Sequence, residues 1–203
     1  RKTMDVKGLP EVLKLTNIRW SHDESMVAFT NTEKEGVALW ILDINSLEAK
    51  KITAANLNAN IGSPFSWMKD DKSFIVKELP NDRPELINVS SAVPAGPTIT
   101  ESDGRKAQNR TYQDLLKNPN DEKNFETLAK STLKKVMLDG TTTSWMKTAM
   151  YSGMSFSPDG SMIMLTTVDR PFSYLVPYRR FARHTDIYTM DGKLVKNAQN
   201  LPL

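Results

Sequence analysis

Ser155-Phe156-Ser157-Pro158-Asp159-Gly160-Ser161-Met162-Ile163-Met164-Leu165 reads as a strand, a tight turn and a second strand. Pro158 presets φ for a turn, and Asp159 and Gly160 tolerate the rest of the turn geometry. Met162–Leu165 is apolar on both faces, which suits a strand with sheets packed above and below it. The pattern occurs twice more, as Trp20-Ser21-His22-Asp23-Glu24-Ser25-Met26-Val27-Ala28-Phe29 and as Trp67-Met68-Lys69-Asp70-Asp71-Lys72-Ser73-Phe74-Ile75-Val76. In each copy an aromatic residue precedes Asp by three positions and an apolar strand by six. A unit used three times in this way predicts an all-β fold, a partial β-propeller of about three four-stranded antiparallel blades.

Working outward from these turns, blade one spans about 15–53, with strands expected at Asn17–Trp20, Met26–Asn31, Val37–Asp43 and Ala49–Thr53. Residues 1–15 read as a lead-in arm or an outer strand. Blade two spans about 63–146, with strands at Ser63–Trp67, Ser73–Leu79, Thr132–Leu138 and Thr141–Met146. Its second and third strands are separated by an insertion over 80–130, first Pro-rich and polar, then helical. Two helical pieces are expected, Thr111–Lys117 ending at Asn118-Pro119, and Glu122–Lys130 capped from Asn120-Asp121. Blade three spans about 152–197, with strands at Ser152–Phe156, Met162–Val168, Thr185–Met190 and Lys193–Asn197. From the aromatic to the Asp that ends or follows the third strand is 23 residues in the first unit, 72 in the second and 35 in the third. The extra length falls each time between strands two and three. Three blades do not close a ring, so the end blades are expected to keep uncovered apolar faces. Those faces would meet further blades or, alternatively, a second copy of the chain.

The totals exclude several function classes. The chain has 203 residues, of which 39% are hydrophobic and 25% charged, an ordinary globular balance. A net charge of +3 without aromatic-interleaved basic runs gives no case for nucleic acid. There is no cysteine, so disulfides and thiolate metal sites are excluded. No apolar run approaches ~18 residues, so no membrane span is expected. The opening Arg1-Lys2-Thr3-Met4 reads as a processed or shortened chain, from which an export signal could have been removed. Asn88-Val89-Ser90 and Asn109-Arg110-Thr111 fit the N-glycosylation triplet, a pattern that arises often by chance.

The Trp-Ser-x-Asp and Phe-Ser-Pro-Asp-Gly turns resemble those of propellers in the prolyl oligopeptidase family of serine peptidases. Two insertions narrow the likeness. Asn109-Arg110-Thr111-Tyr112-Gln113-Asp114-Leu115-Leu116-Lys117-Asn118 resembles a helical insertion of the glutamyl endopeptidase branch, found in chloroplasts and in Bacteroides-like bacteria. Arg170-Pro171-Phe172-Ser173-Tyr174, with Val176-Pro177 and Arg180-Phe181, resembles a second stretch of that branch. The resemblance implies the N-terminal propeller portion of a peptidase whose α/β-hydrolase domain carries Ser, Asp and His. That domain has no counterpart here. Gly153-Met154-Ser155-Phe156-Ser157 lacks the closing glycine of a nucleophile elbow.

The chain by itself is therefore expected to be non-catalytic and to use no cofactor or metal. It would gate the access of peptides to the hydrolase site of its parent enzyme. Its expected partners are the peptide substrate, the remaining blades and the hydrolase domain. A bacterial periplasmic or secreted location is favoured by the resemblance. The competing reading is a stand-alone propeller-like scaffold, also periplasmic, that holds a protein partner.

Glutamate selectivity would require a cation or hydrogen-bond donors for the substrate carboxylate, and arginine binds one bidentately. The candidate substrate-binding residues are Arg180, Arg110, Tyr112 and Tyr178, with Arg180 first because it lies between Pro177 and Phe181. Arg170, Arg179 and Asp114 share the same neighbourhood. For each of these, pinning an insertion to its blade is the competing role. His22 and His184 are expected as solvated residues, and Trp20, Trp67 and Phe156 as core anchors. Asp23, Asp70 and Asp159 are expected to fix the turns through side-chain hydrogen bonds.

Overall fold

A computed structural model describes residues 3–88, 104 and 112–203. Its strands form three antiparallel sheets of four, each in simple chain order. Sheet 1 holds β1 (Leu15–Trp20), β2 (Met26–Thr32), β3 (Val37–Asp43) and β4 (Glu48–Lys51). Sheet 2 holds β5 (Phe65–Trp67), β6 (Ser73–Glu78), β7 (Ser131–Met137) and β8 (Thr142–Ala149). Sheet 3 holds β9 (Tyr151–Phe156), β10 (Met162–Val168), β11 (Arg183–Thr189) and β12 (Leu194–Leu201). Among the described residues one α-helix, α1 (Pro119–Ala129), lies in the insertion of the second sheet. The fold is the expected partial propeller.

Alternation along β6 explains why the middle sheet needs a neighbour on each side. Phe74 and Val76 join Ala28, Leu39 and Ile41 of sheet 1 in one core cluster, with Trp67 and Phe65 of β5. Ile75 points the opposite way and meets Leu133, Ile163 and Leu165 in a second cluster against sheet 3. Period-two side-chain alternation thus makes one apolar strand serve two interfaces.

The three repeated turns share one hydrogen-bond plan. Asp23 accepts from Ser21 Oγ at 2.7 Å and from the Ser25 amide at 3.0 Å. Asp159 accepts from Ser157 Oγ at 2.6 Å and from the Ser161 amide at 3.1 Å. Asp70 accepts from the Lys72 and Ser73 amides at 2.9 and 3.1 Å. The donors hold the Asp159 carboxyl down at about 2, and they lower Asp23 in the same way. The next position has positive φ in every copy: Glu24 at 59°, Asp71 at 50° and Gly160 at 73°. Only the third copy uses glycine where the left-handed region favours it.

Several local expectations are corrected. Tyr112–Lys117 is irregular rather than helical, and Thr111 lies outside the described residues. The helix begins earlier than expected because Asn118 is its N-cap. Its side chain accepts from the amides of Asn120 and Asp121 at 2.9 and 3.0 Å. Pro119 occupies the first helical turn, where its missing N–H costs nothing. The Asn-Pro pair therefore starts α1 instead of ending a preceding helix.

Trp20 is not a core anchor, being 58% exposed. It pairs with Val27, on the face of sheet 1 turned away from sheet 2. That face is not bare, however. The arm over 3–14 runs from the outer edge, where Lys7 bridges Glu48, to Lys14, whose amide donates to Asn31 Oδ1 at 2.7 Å. Phe29, Asn31 and Ala38 are buried on this side. At the other flank, Met162 and Met164 of β10 stay 39% and 41% exposed. Of the two end faces expected to be open, one is thus partly covered by the chain's own arm.

Candidate substrate-facing site between the two insertions

In each antiparallel sheet the connection from second to third strand leaves at the same end. The connections after β6 and β10 therefore emerge from neighbouring sheets on one side of the molecule. Helix α1 of the first packs on 170–181 of the second. Phe125 of α1 meets Phe172 and Phe181 edge-on at 5.0 and 5.4 Å between ring centroids, and lies 6.0 Å from Tyr178. Phe172 and Phe181 stack at 5.2 Å. Ala129, Ile61, Met150 and Val168 close this cluster below. Phe172, Tyr178 and Phe181 all face α1 because the chain doubles back through a 3-10 turn at Tyr178–Arg180.

Polar contacts fix the same junction. The Arg170 guanidinium donates to Glu122 Oε2 at 2.8 Å and to Glu126 Oε2 at 2.6 Å, and it covers the Phe172 ring at 4.5 Å. The Tyr174 hydroxyl donates to Glu122 Oε1 at 2.7 Å. The hydrogen bond from Tyr174, then those from Arg170, hold the Glu122 carboxyl below its ordinary range. Lys130, then Arg170, lower Glu126 likewise. At the far end of α1, Asn58 donates to the carbonyls of Leu128 and Lys130 at 2.9 and 2.8 Å. These are end-of-helix carbonyls that have no partner within the helix.

Among the sequence candidates, the structure brings two together. The Arg180 guanidinium lies 5.6 Å from the Tyr112 ring centroid, one residue from each insertion. Arg180 is exposed, and it makes no ion pair among the described residues. Tyr178 is half-buried in the aromatic cluster, so its ring is packed rather than presented. Arg110 lies outside the described residues. Arg170 is committed to α1. Asp114 sits in the irregular stretch with φ of 58° rather than on a helix.

His22 is exposed in its turn, as expected, but both histidines have carboxylate partners. His22 Nδ1 is 2.6 Å from Asp71 Oδ1 in the turn of the next sheet, and Asp71 also accepts from the His22 and Asp23 amides. His184 is half-buried, with Nδ1 2.6 Å from Asp169 and Nε2 3.6 Å from Asp186. The two imidazoles lie on different sheets, at opposite strand ends. No group of three or more metal-ligating side chains occurs among the described residues. Ser155, within the incomplete elbow, is an ordinary residue of β9 paired with Met164.

Sequence reading missed Lys77, which is 1% exposed between sheets 2 and 3. Its ammonium donates to the carbonyls of Ile61 and Tyr151, the second at 3.3 Å. Burial pushes Lys77 down to about 8. A signal was present in the alternation of Ser73, Ile75 and Lys77, which puts a lysine on a buried face.

Known proteins show a likeness over nearly the whole chain. No family model matches the chain. It is 33% identical over 98% of its length to a rice protein named "Probable glutamyl endopeptidase, chloroplastic". It is 30% identical over 98% of its length to an Arabidopsis thaliana protein of the same name. The chain is similar to the glutamyl endopeptidases of the prolyl oligopeptidase family. It spans 22% and 21% of the length of these two relatives, so the likeness is to a portion of them. An acylaminoacyl peptidase of Pyrococcus horikoshii superimposes with a TM-score of 0.52 at 16% identity, over 93% of this chain and 25% of that one. That structural likeness speaks to the fold alone.

Proposed function

We propose that this chain is a non-catalytic propeller segment of a serine peptidase of the prolyl oligopeptidase family, and that it gates peptide access to a hydrolase domain. Glutamyl selectivity is part of the proposal. The supporting observation is the meeting of Arg180 and Tyr112 at the exposed junction of the two insertions. Both insertions project from one end of the stack and are locked together by Arg170 and the aromatic cluster. Their described parts form one packed rim. Arg180 carries free donors for a substrate carboxylate, and Tyr112 fixes its plane.

The test is turnover of short Glu-containing and Pro-containing peptides by the whole gene product, beside this chain alone. Turnover is expected from the whole product only. Arg180→Ala in that product should lower kcat/KM for a Glu peptide relative to its Ala counterpart by about tenfold, the worth of one charge-assisted contact. An unchanged Glu-to-Ala ratio would remove Arg180 from the site. A whole product without peptidase activity would favour a binding scaffold.

A further inference from the structure

The linker over 52–64, between sheets 1 and 2, also holds the insertion helix. Its middle lies along the end of β6. The Leu57 amide donates to the Val37 carbonyl, the Asn58 amide to Lys77 and the Leu79 amide to Asn56, at 2.9, 2.8 and 2.8 Å. Leu57 also bridges Glu78. The linker is thereby fixed to both sheets. Asn58 is 1% exposed. Its Nδ2 donates to the carbonyls of Leu128 and Lys130 at 2.9 and 2.8 Å. Its Oδ1 accepts from the Asn60 amide at 3.0 Å and from Asn60 Nδ2 at 2.9 Å. Both donors and both lone pairs of this buried amide are used. Asn60 Nδ2 adds a further bond to the Leu128 carbonyl at 3.0 Å. Ile61, on the same linker, shares a core cluster with Ala129, the one fully buried residue of α1. The C-terminal end of α1 is thus clamped to the sheets.

The opposite end of α1 carries half of the rim. Tyr112–Lys117 leads into the Asn118 cap, and the Lys117 amide donates to Asp121 Oδ2 at 2.8 Å. Tyr112 is therefore carried by the N-terminal end of the helix. Arg180 is carried by sheet 3, whose strand β11 begins at Arg183. The 5.6 Å between Arg180 and Tyr112 then depends on how α1 is held. A helix of eleven residues is about 16 Å long, so a tilt of about 10° about its clamped end displaces the other end by roughly 3 Å. A misplacement of about 1 Å is enough to cost a reaction about 100-fold. Phe125 presses the helix sideways onto Phe172 and Phe181, but apolar contact is non-directional and permits sliding. Exposed ion pairs to Arg170 hold weakly. The two buried bonds from Asn58 fix both where the helix ends and how it is rotated.

We propose that Asn58 is a positioning residue of the rim: acting through α1, it places Tyr112 against Arg180 and so sets the selectivity of that pair. The effect on selectivity rests on the peptidase reading above, whereas the clamp on α1 does not. Asn58→Asp is the discriminating change. It keeps the shape of the side chain and the acceptor for Asn60. It replaces the two donors with an oxygen turned toward the Leu128 and Lys130 carbonyls. The helix is released while Arg180 and Tyr112 themselves are untouched.

The experiment measures kcat/KM for a Glu peptide and its Ala counterpart in the whole gene product, with hydrogen–deuterium exchange on the same samples. Asn58→Asp should lower the Glu-to-Ala ratio about fivefold and leave the Ala peptide within about twofold of the parent. In an Arg180→Ala background the same change should leave the ratio where Arg180→Ala alone puts it, because the two act through one contact. Amides of α1 should exchange about tenfold faster in Asn58→Asp, while those of β5–β8 keep the parent's rates. If Asn58→Asp fails to fold, Asn60→Ala removes one bond of the clamp from an exposed side chain and should move both readouts the same way by about twofold. Unchanged exchange in α1 would overturn the proposal. So would an equal loss on both peptides, or a fall in the ratio that persists without Arg180. Faster exchange with an unchanged ratio, where Arg180→Ala does lower it, sinks the positioning role and leaves the peptidase reading standing. If Arg180→Ala itself leaves the ratio unchanged, the carboxylate reading fails and takes the selectivity effect with it, whereas faster exchange of α1 still upholds the clamp.

Discussion

Asp71 holds two blades together with one carboxylate. It sits at the left-handed position of its own turn, at φ 50°, and reaches the preceding turn in the stack. There it accepts from the His22 amide at 2.8 Å, the Asp23 amide at 3.0 Å and His22 Nδ1 at 2.6 Å. Each hydrogen bond to a charged acceptor contributes on the order of 1.5 kcal/mol, less at an exposed site. Asp71→Ala should therefore destabilise the chain by about 2 kcal/mol, read from the urea midpoint at constant m-value. Asp71→Asn should recover part of that loss, because an amide oxygen can still accept. If the alanine variant keeps the parent's midpoint, Asp71 does not couple the turns. Gly62 is the other residue where the stack is tight. It has φ of 62°, and a Cβ there would stand 2.3 Å from the Ser152 carbonyl oxygen in the next sheet. Gly62→Ala combines backbone strain with a clash against backbone that cannot rotate away. It should cost about 2 kcal/mol or more by the same measurement.

Helix α1 is an element held from outside. Its mean composition is polar, it buries only Ala129 fully, and eleven residues are too few for an isolated helix to persist in water. Its stability comes from the facing insertion, through Phe125 on Phe172 and Phe181 and through Arg170 on Glu122 and Glu126. Phe172→Ala should cost about 3 kcal/mol. It should also open both insertions to limited proteolysis before the sheets unfold. Arg170→Ala should raise the cleavage rate with a smaller effect on the global midpoint, because exposed ion pairs contribute little each. Cleavage confined to sheet loops in both variants would contradict this division. The strands were legible because their signals are local: the Asp turns, the apolar alternation, and Val37–Asp43 and Met162–Val168 bounded by polar turns. The contact between insertions was not legible, because its partners lie 44 or more residues apart, as Arg170 and Glu126 do. The same holds for Arg180 and Tyr112. Sequence marked both as candidates, but only the adjacency of sheets 2 and 3 brings them to 5.6 Å. Asn118-Pro119 was ambiguous for a different reason, since the pair suits either a helix stop or an N-cap followed by proline.

At the scale of the whole molecule the stack is not uniformly apolar, and the pH dependence of stability should expose where it is not. Lys77 lies between sheets 2 and 3, depressed from an ordinary 10.5 to about 8 by burial. Below pH 8 it is protonated in both folded and unfolded chains, and its desolvation weakens the fold. Between about 8 and 10.5 the folded chain gives up the proton while the unfolded chain keeps it, so stability rises with pH. The shift corresponds to roughly 3 kcal/mol at about 1.4 kcal/mol per pKa unit. Tyr151, at the same interface, acts with the opposite sign. Burial lifts its hydroxyl from an ordinary 10.0 to about 12, so the unfolded chain ionises first and stability falls above pH 10. The interval from pH 8 to 10 therefore isolates the lysine. Urea midpoints of the parent and of Lys77→Met across that interval should diverge, with the parent gaining roughly 2 kcal/mol on the variant. Methionine leaves the Ile61 and Tyr151 carbonyls without a donor at every pH, which offsets the two curves but does not tilt them. Parallel curves would mean that water reaches Lys77 and that the joint between sheets 2 and 3 is looser than its side-chain packing implies.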